Sequence, residues 1–195
     1  MFTFHQATPD HAEQIAKIVA DVASGVVEHL LDKLIPGLTG QHFLSVAFMK
    51  GEGAYDAKNV ICSLSDEEIT ALLFCYPSEE HRIPTLMESF VPSKRLKPVR
   101  PILENAVPES LYINTIWLAE DLRGNGHAAA LMLEAQSRCR ALDRRRISLF
   151  CWNDNERGMR FYARQGFELV EYFPPEKLSL PGHEQGGSIL CKTLS

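Results

Sequence analysis

Leu118-Ala119-Glu120-Asp121-Leu122-Arg123-Gly124-Asn125-Gly126-His127-Ala128 is the stretch on which the reading of this chain turns. It joins two different periodicities. Before it, Ser110–Leu118 (SLYINTIWL) is rich in β-branched and aromatic residues and predicts a strand. After it, Ala128, Leu131, Met132, Ala135, Cys139 and Leu142 recur at helical spacing and predict an amphipathic helix over 128–142. A strand that passes through a glycine turn into a helix aims successive backbone N–H groups and the positive end of the helix dipole at one point. The glycines let a ligand approach the backbone closely, so the stretch predicts a phosphate or pyrophosphate site. A turn that needs glycine only for its shape explains the same residues, and a second pattern is needed to separate the two.

Downstream, 147–152 reads as a strand, 155–165 as a helix ending at Gly166, and 167–173 as a strand; a loop over 174–187 leads to a last strand at 188–193. Upstream, residues 77–108 hold six prolines, many charges and no long period. They read as an insertion over the surface, with a helix near 85–90 or 102–106. Before that, 59–64 and 68–76 flank Ser65-Asp66-Glu67 as a β-hairpin. Residues 2–6 suggest a first strand, and Thr8-Pro9-Asp10 a helix start. Ile15, Ile18, Val19, Val22 and Val26 then form one apolar face, broken at Pro36-Gly37, with a second helix expected at 41–49. The class is α/β, with an antiparallel first half and a strand–helix–strand unit in the second.

Composition narrows the function. With 195 residues the chain suits one domain, 45% apolar and 23% charged residues suit a soluble globule, and 25 acidic against 20 basic residues disfavour a general nucleic-acid binder. No apolar run approaches the ~20 residues of a membrane helix, and no signal peptide is visible, so the expected place is the cytoplasm. The five cysteines form no CxxC pair and the seven histidines no HExxH, so no metal site is expected. Each cysteine lies in or beside an apolar segment and reads as a buried free thiol.

Two motifs carry a family resemblance. Arg123-x-x-Gly126-x-Ala128, following a strand, resembles the Q/R-x-x-G-x-G/A acetyl-CoA loop of the GCN5-related N-acetyltransferases (GNAT superfamily). Asn155-x-x-Gly158-x-x-x-Tyr162-x-x-x-Gly166-Phe167 resembles that family's N-x-x-A/G-x-x-x-Y-x-x-x-G-F helix, in the right order and at the right separation. The opening, a short strand, Ala7-Thr8 and a helix from Asp10, fits as well. The resemblance implies one domain over 1–195 with a mixed, mostly antiparallel sheet flanked by helices and with splayed fourth and fifth strands. It implies acetyl-CoA as co-substrate, no metal, and an amine acceptor on a small molecule or peptide. Nucleic acid and membrane are not expected as partners, and a sheet edge or the insertion is where a homodimer would form.

The same resemblance assigns roles. The backbone of Ile116 would face the thioester carbonyl and stabilise the oxyanion, and Leu118 would meet the pantetheine amides. The amides of Arg123, Gly124, Asn125, Gly126, His127 and Ala128 would hold the pyrophosphate. Asn155 would contact the pantetheine or its own helix turn. Tyr162 would protonate the departing thiolate. Some relatives place a glutamate base on the fourth strand where this chain has Tyr112. That leaves Glu68, Glu104, Glu109 or a water held by Asn114 or Thr115 as alternatives. The arginines at 138, 140, 144, 145, 146, 157, 160 and 164 read as solvated faces, one or two of which would meet the 3′-phosphate. Two rivals stay open: a non-catalytic acyl-CoA-binding module, and a nicotinamide-binding oxidoreductase that reads Gly124-Asn125-Gly126-His127-Ala128-Ala129 as G-x-G-x-x-G/A with Asp154 as the ribose acid.

Overall fold

A computed structural model describes residues 3–178 and 180–195. Among these residues seven strands hydrogen-bond in the order β1-β2-β3-β4-β5-β7-β6. They are β1 (His5–Gln6), β2 (Val60–Ser65), β3 (Glu68–Pro77), β4 (Ser110–Leu118), β5 (Arg146–Trp152), β6 (Glu168–Phe173) and β7 (Gly187–Thr193). Among the described residues eight α-helices are interspersed: α1 (Ala12–Val22), α2 (Val26–Leu31), α3 (Gly40–Lys50), α4 (Thr85–Phe90), α5 (Ser93–Leu96), α6 (Arg100–Glu104), α7 (His127–Ala141) and α8 (Glu156–Arg164). β4 and β5 pair in parallel, while β1–β2, β2–β3, β5–β7 and β6–β7 are antiparallel. The mixed, mostly antiparallel sheet is the one expected. Contacts divide the chain into two compact units, one running to Cys75 and adding Thr115–Glu134, the other comprising Tyr76–Asn114 and Ala135–Ser195.

In the first unit the expected strand over 2–6 appears as His5–Gln6, with Phe2 outside the described residues. The hairpin turns at Asp66 and Glu67, both left-handed at φ 49° and 68°, the twist that suits a two-residue hairpin. Neither is glycine, and a helix side chain holds them there. Gln14 of α1 donates through Nε2 to the Glu67 carbonyl at 3.0 Å and accepts the Ile69 N–H at 2.9 Å. The apolar face expected to continue from Ile15 to Val26 is interrupted: α1 ends at Val22, and Ser24 and Gly25 turn left-handed at φ 50° and 89° before α2 begins. Glycine takes that conformation without a Cβ penalty, so the break falls before Pro36. The buried core contains Ile15, Leu44, Phe48, Val60, Leu72 and Phe74, with Phe48 edge-on to Phe74.

In the second unit residues 77–108 are not a surface loop. They fold into α4, α5 and α6, and they bury Ile83, Val91, Leu96 and Val99. Pro84 and Pro92 precede α4 and α5, and Pro101 sits in the first turn of α6, where a missing N–H costs nothing. Pro84, Pro92 and Pro101, three of the six prolines that suggested a loop, are helix starts. Helix α7 stops at Ala141 rather than Leu142, because the chain turns left-handed at Asp143 (φ 53°). Leu142 is then left largely exposed, whereas Leu131, Met132, Ala135 and Cys139 are fully buried. β6 begins at Glu168, one residue later than expected.

Candidate functional site

In the first unit, β4 runs out through Ile116 and Leu118 into the loop. Leu118 is buried and Ile116 half-buried. The Leu118 carbonyl accepts the Arg123 Nε–H at 3.1 Å, so Arg123 braces the loop against the end of its own strand. The Ala119 N–H donates to the Thr70 carbonyl of β3 at 2.9 Å, fixing the start of the turn. Gly124 and Gly126 are both left-handed, φ 88° and 80°, and a Cβ at either would meet nothing within 4 Å. Glycine serves backbone conformation here. The first helical bonds run from the Ala129 and Ala130 N–H groups to the Gly126 carbonyl, so the amides of 124–128 precede the helix's own ladder. A helix start in that state offers donors and a positive dipole end to an anion.

In the second unit, Asn155 caps α8 and its carboxamide oxygen accepts the Gly158 N–H at 2.9 Å. A Cβ on Gly158 would lie 2.6 Å from Asn155 Nδ2, so glycine at this position leaves room for the capping carboxamide in this chain. The helix closes at left-handed Gly166, with the Phe167 N–H bonded to the Tyr162 carbonyl at 3.0 Å. Tyr162 is the buried residue of α8. Its ring meets Phe161 and Phe167 edge-on, with centroids 5.3 Å and 5.6 Å away. Burial, then the neighbouring Cys151 and Tyr112, push its hydroxyl well above the usual phenol range. The hydroxyl is therefore held as the neutral phenol, with its hydrogen in place. Cys151 on β5 is also buried, and its thiol is pushed up to about 12 by burial and by Asp154. The β4–β5 ladder runs from Ser110↔Arg146 to Ile113↔Leu149.

A polar chain in the same unit was not anticipated from sequence. Asn114 Nδ2 donates to the Tyr76 hydroxyl at 3.1 Å, that hydroxyl meets His81 Nδ1 at 3.1 Å, and His81 Nε2 reaches the Ile102 carbonyl at 2.8 Å. The amide donor at one end and the carbonyl acceptor at the other set every bond's direction, so His81 carries its hydrogen on Nε2. The ring stacks on Tyr112 at 3.8 Å between centroids. Burial lowers its pKa from 6.5 to about 4, partly offset by the Ile102 bond, so the imidazole is neutral. These residues come from β3, the inserted segment and β4, a coincidence that no local pattern announces. Of the candidate bases, Glu104 pairs with Arg100 and Glu109 with Arg146. Among the cations, Arg144 pairs with Glu79 and Arg160 with Glu156.

Among the described residues, no group of three or more His, Cys, Asp or Glu gathers to hold a metal, and no helix is long and apolar enough to cross a membrane. Residues 91–167 match the model of the acetyltransferase (GNAT) family. No curated protein matches the sequence. The chain is similar in fold to an N-acetyltransferase from Staphylococcus aureus Mu50, at 19% identity and TM-score 0.69 over 97% of this chain and 100% of that one. It is similar also to another acetyltransferase at 18% identity and TM-score 0.67, covering 99% and 100%. A third similar structure is Arabidopsis thaliana Naa50 in complex with the bisubstrate analogue CoA-Ac-MVNAL, at 12% identity and TM-score 0.57 over 98% of each chain. Residues 91–167, which contain both motifs, thus match the acetyltransferase (GNAT) family, and the chain as a whole has the GNAT fold.

Proposed function

We propose that the protein is an acetyl-CoA-dependent N-acetyltransferase, acting as one domain, that moves an acetyl group to a primary amine of a small molecule or peptide. The observation that carries this reading is the loop 123–128: two left-handed glycines present the amides of 124–128 ahead of the α7 ladder. That arrangement suits a pyrophosphate. In this reading the Ile116 N–H polarises the thioester carbonyl and Leu118 pairs with the pantetheine arm. Arg123, Gly124, Asn125, Gly126, His127 and Ala128 hold the phosphates, while Asn155 orders the start of α8.

Direct attack by the amine is favoured over an acyl-enzyme. A thiol pushed up to about 12 is almost wholly protonated at neutral pH, so Cys151 is a poor nucleophile. Tyr162, buried and held as the phenol, supplies the proton that the departing CoA thiolate needs. Calorimetric titration with acetyl-CoA, with NAD as control, tests the reading. One-to-one micromolar binding of acetyl-CoA alone is expected, and binding of NAD, or of neither, overturns it. An amine panel with CoA release as readout then separates an enzyme from a binding module.

A further inference from the structure

The loop after β4 has little packing of its own. Asn125 and the glycines on either side of it are exposed, and a Cβ at Gly124 or Gly126 would meet nothing within 4 Å. Both glycines are left-handed, at φ 88° and 80°, and glycine loses more conformational freedom on ordering than any other residue. Amides that are to hold an anion do so tightly when that freedom is lost before the ligand arrives rather than on binding. A loop of this kind is held by its ends.

At the far end, the Ala129 and Ala130 N–H groups close the first turn of α7 on the Gly126 carbonyl at 3.0 Å and 3.3 Å. At the near end, the chain makes a 3₁₀ turn over Glu120–Leu122. The Ala119 N–H on the Thr70 carbonyl pins its start, and the Arg123 N–H on the Glu120 carbonyl, at 3.2 Å, closes its end. Arg123 leaves the turn with an extended backbone, φ −76° and ψ 147°, and Gly124 follows. The Arg123 side chain then spans the whole turn, its Nε–H donating to the Leu118 carbonyl at 3.1 Å. That bond ties the residue before Gly124 to the last residue of β4.

In the acetyltransferase reading Leu118 meets the pantetheine arm and the amides of 124–128 meet the pyrophosphate. These are two parts of one ligand, so the spacing between their two sites on the protein governs how well both are met at once. The Arg123 bond sets that spacing. We propose that the Arg123 side chain is a positioning residue for acetyl-CoA, acting as an N–H donor to the Leu118 carbonyl rather than as a charge on the pyrophosphate; this rests on the acetyltransferase reading.

Side-chain chemistry separates the two roles. Glutamine carries an amide nitrogen on Cδ, at the place of the arginine Nε, and has no charge. Lysine keeps the charge but has a carbon at that place, and methionine has neither charge nor donor there. Calorimetric titration of the full-length chain with acetyl-CoA compares the wild type with Arg123→Gln, Arg123→Lys and Arg123→Met. Arg123→Met should bind about tenfold more weakly, Arg123→Lys nearly as weakly, and Arg123→Gln should recover most of the loss. Backbone ¹⁵N relaxation of Gly124, Asn125 and Gly126 in the free protein gives a readout that a phosphate contact would not move. Their order parameters should fall in the Lys and Met variants and hold in the Gln variant. Affinity retained by Arg123→Lys, or lost in Arg123→Gln as fully as in Arg123→Met, overturns the proposal. Failure of the wild type to bind acetyl-CoA instead overturns the acetyltransferase reading beneath it.

Discussion

Acid is expected to destabilise this fold through one imidazole, that of His81. The side chain is 9% exposed, and burial lowers its pKa from 6.5 to about 4. In the unfolded chain it titrates near its ordinary value, so between the two values the unfolded state binds a proton that the folded state refuses. Stability from this group is therefore complete above about pH 6.5 and lost as the pH falls toward 4. At about 1.4 kcal/mol per unit, going from pH 7 to pH 4.5 costs about 2.5 kcal/mol. The assay is urea unfolding of wild type and His81→Gln at the two pH values. The variant is weaker at pH 7, since it loses the stack on Tyr112. Its loss on acidification should nonetheless be smaller by about 2.5 kcal/mol, because titrating carboxylates are common to both proteins. Equal pH dependence in the two proteins, or an NMR titration of His81 near 6.5, would refute the reasoning.

Tyr162→Phe removes only the hydroxyl and keeps the contacts with Phe161 and Phe167; turnover should fall about 10²- to 10⁴-fold while calorimetry finds acetyl-CoA affinity little changed. Full turnover in that variant would remove Tyr162 as the acid. Gly158→Ala sets a methyl against the Asn155 carboxamide, displaces the cap of α8, and should cost about 1 kcal/mol in thermal unfolding. The Cys151 thiol, pushed up to about 12, is ionised to only about one part in ten thousand at pH 8. Peptide mapping after brief iodoacetamide treatment should find it unlabelled in the folded protein and labelled in urea; rapid labelling of the native protein would contradict its environment.

Much of the architecture is written locally. The strand Ser110–Leu118 falls where its β-branched and aromatic composition places it. The two motifs are equally local: glycine at 124 and 126 answers to backbone conformation, and Gly158 answers to a carboxamide three residues away. Tertiary structure decided what spacing cannot carry. The turn at Asp66-Glu67 has no glycine and is held by Gln14, some fifty residues earlier. Helix α1 stops at Val22 although its apolar pattern runs on, since a left-handed Gly25 ends it. Pro84, Pro92 and Pro101 start helices where the segment turns inward to bury Ile83, Val91, Leu96 and Val99. His81 meets Tyr76 and Asn114, and Asp154 meets His183, only after folding. Local free energies select helices, strands and turns one segment at a time. A polar group buried far along the chain is satisfied only by whatever partner the finished packing brings within about 3 Å.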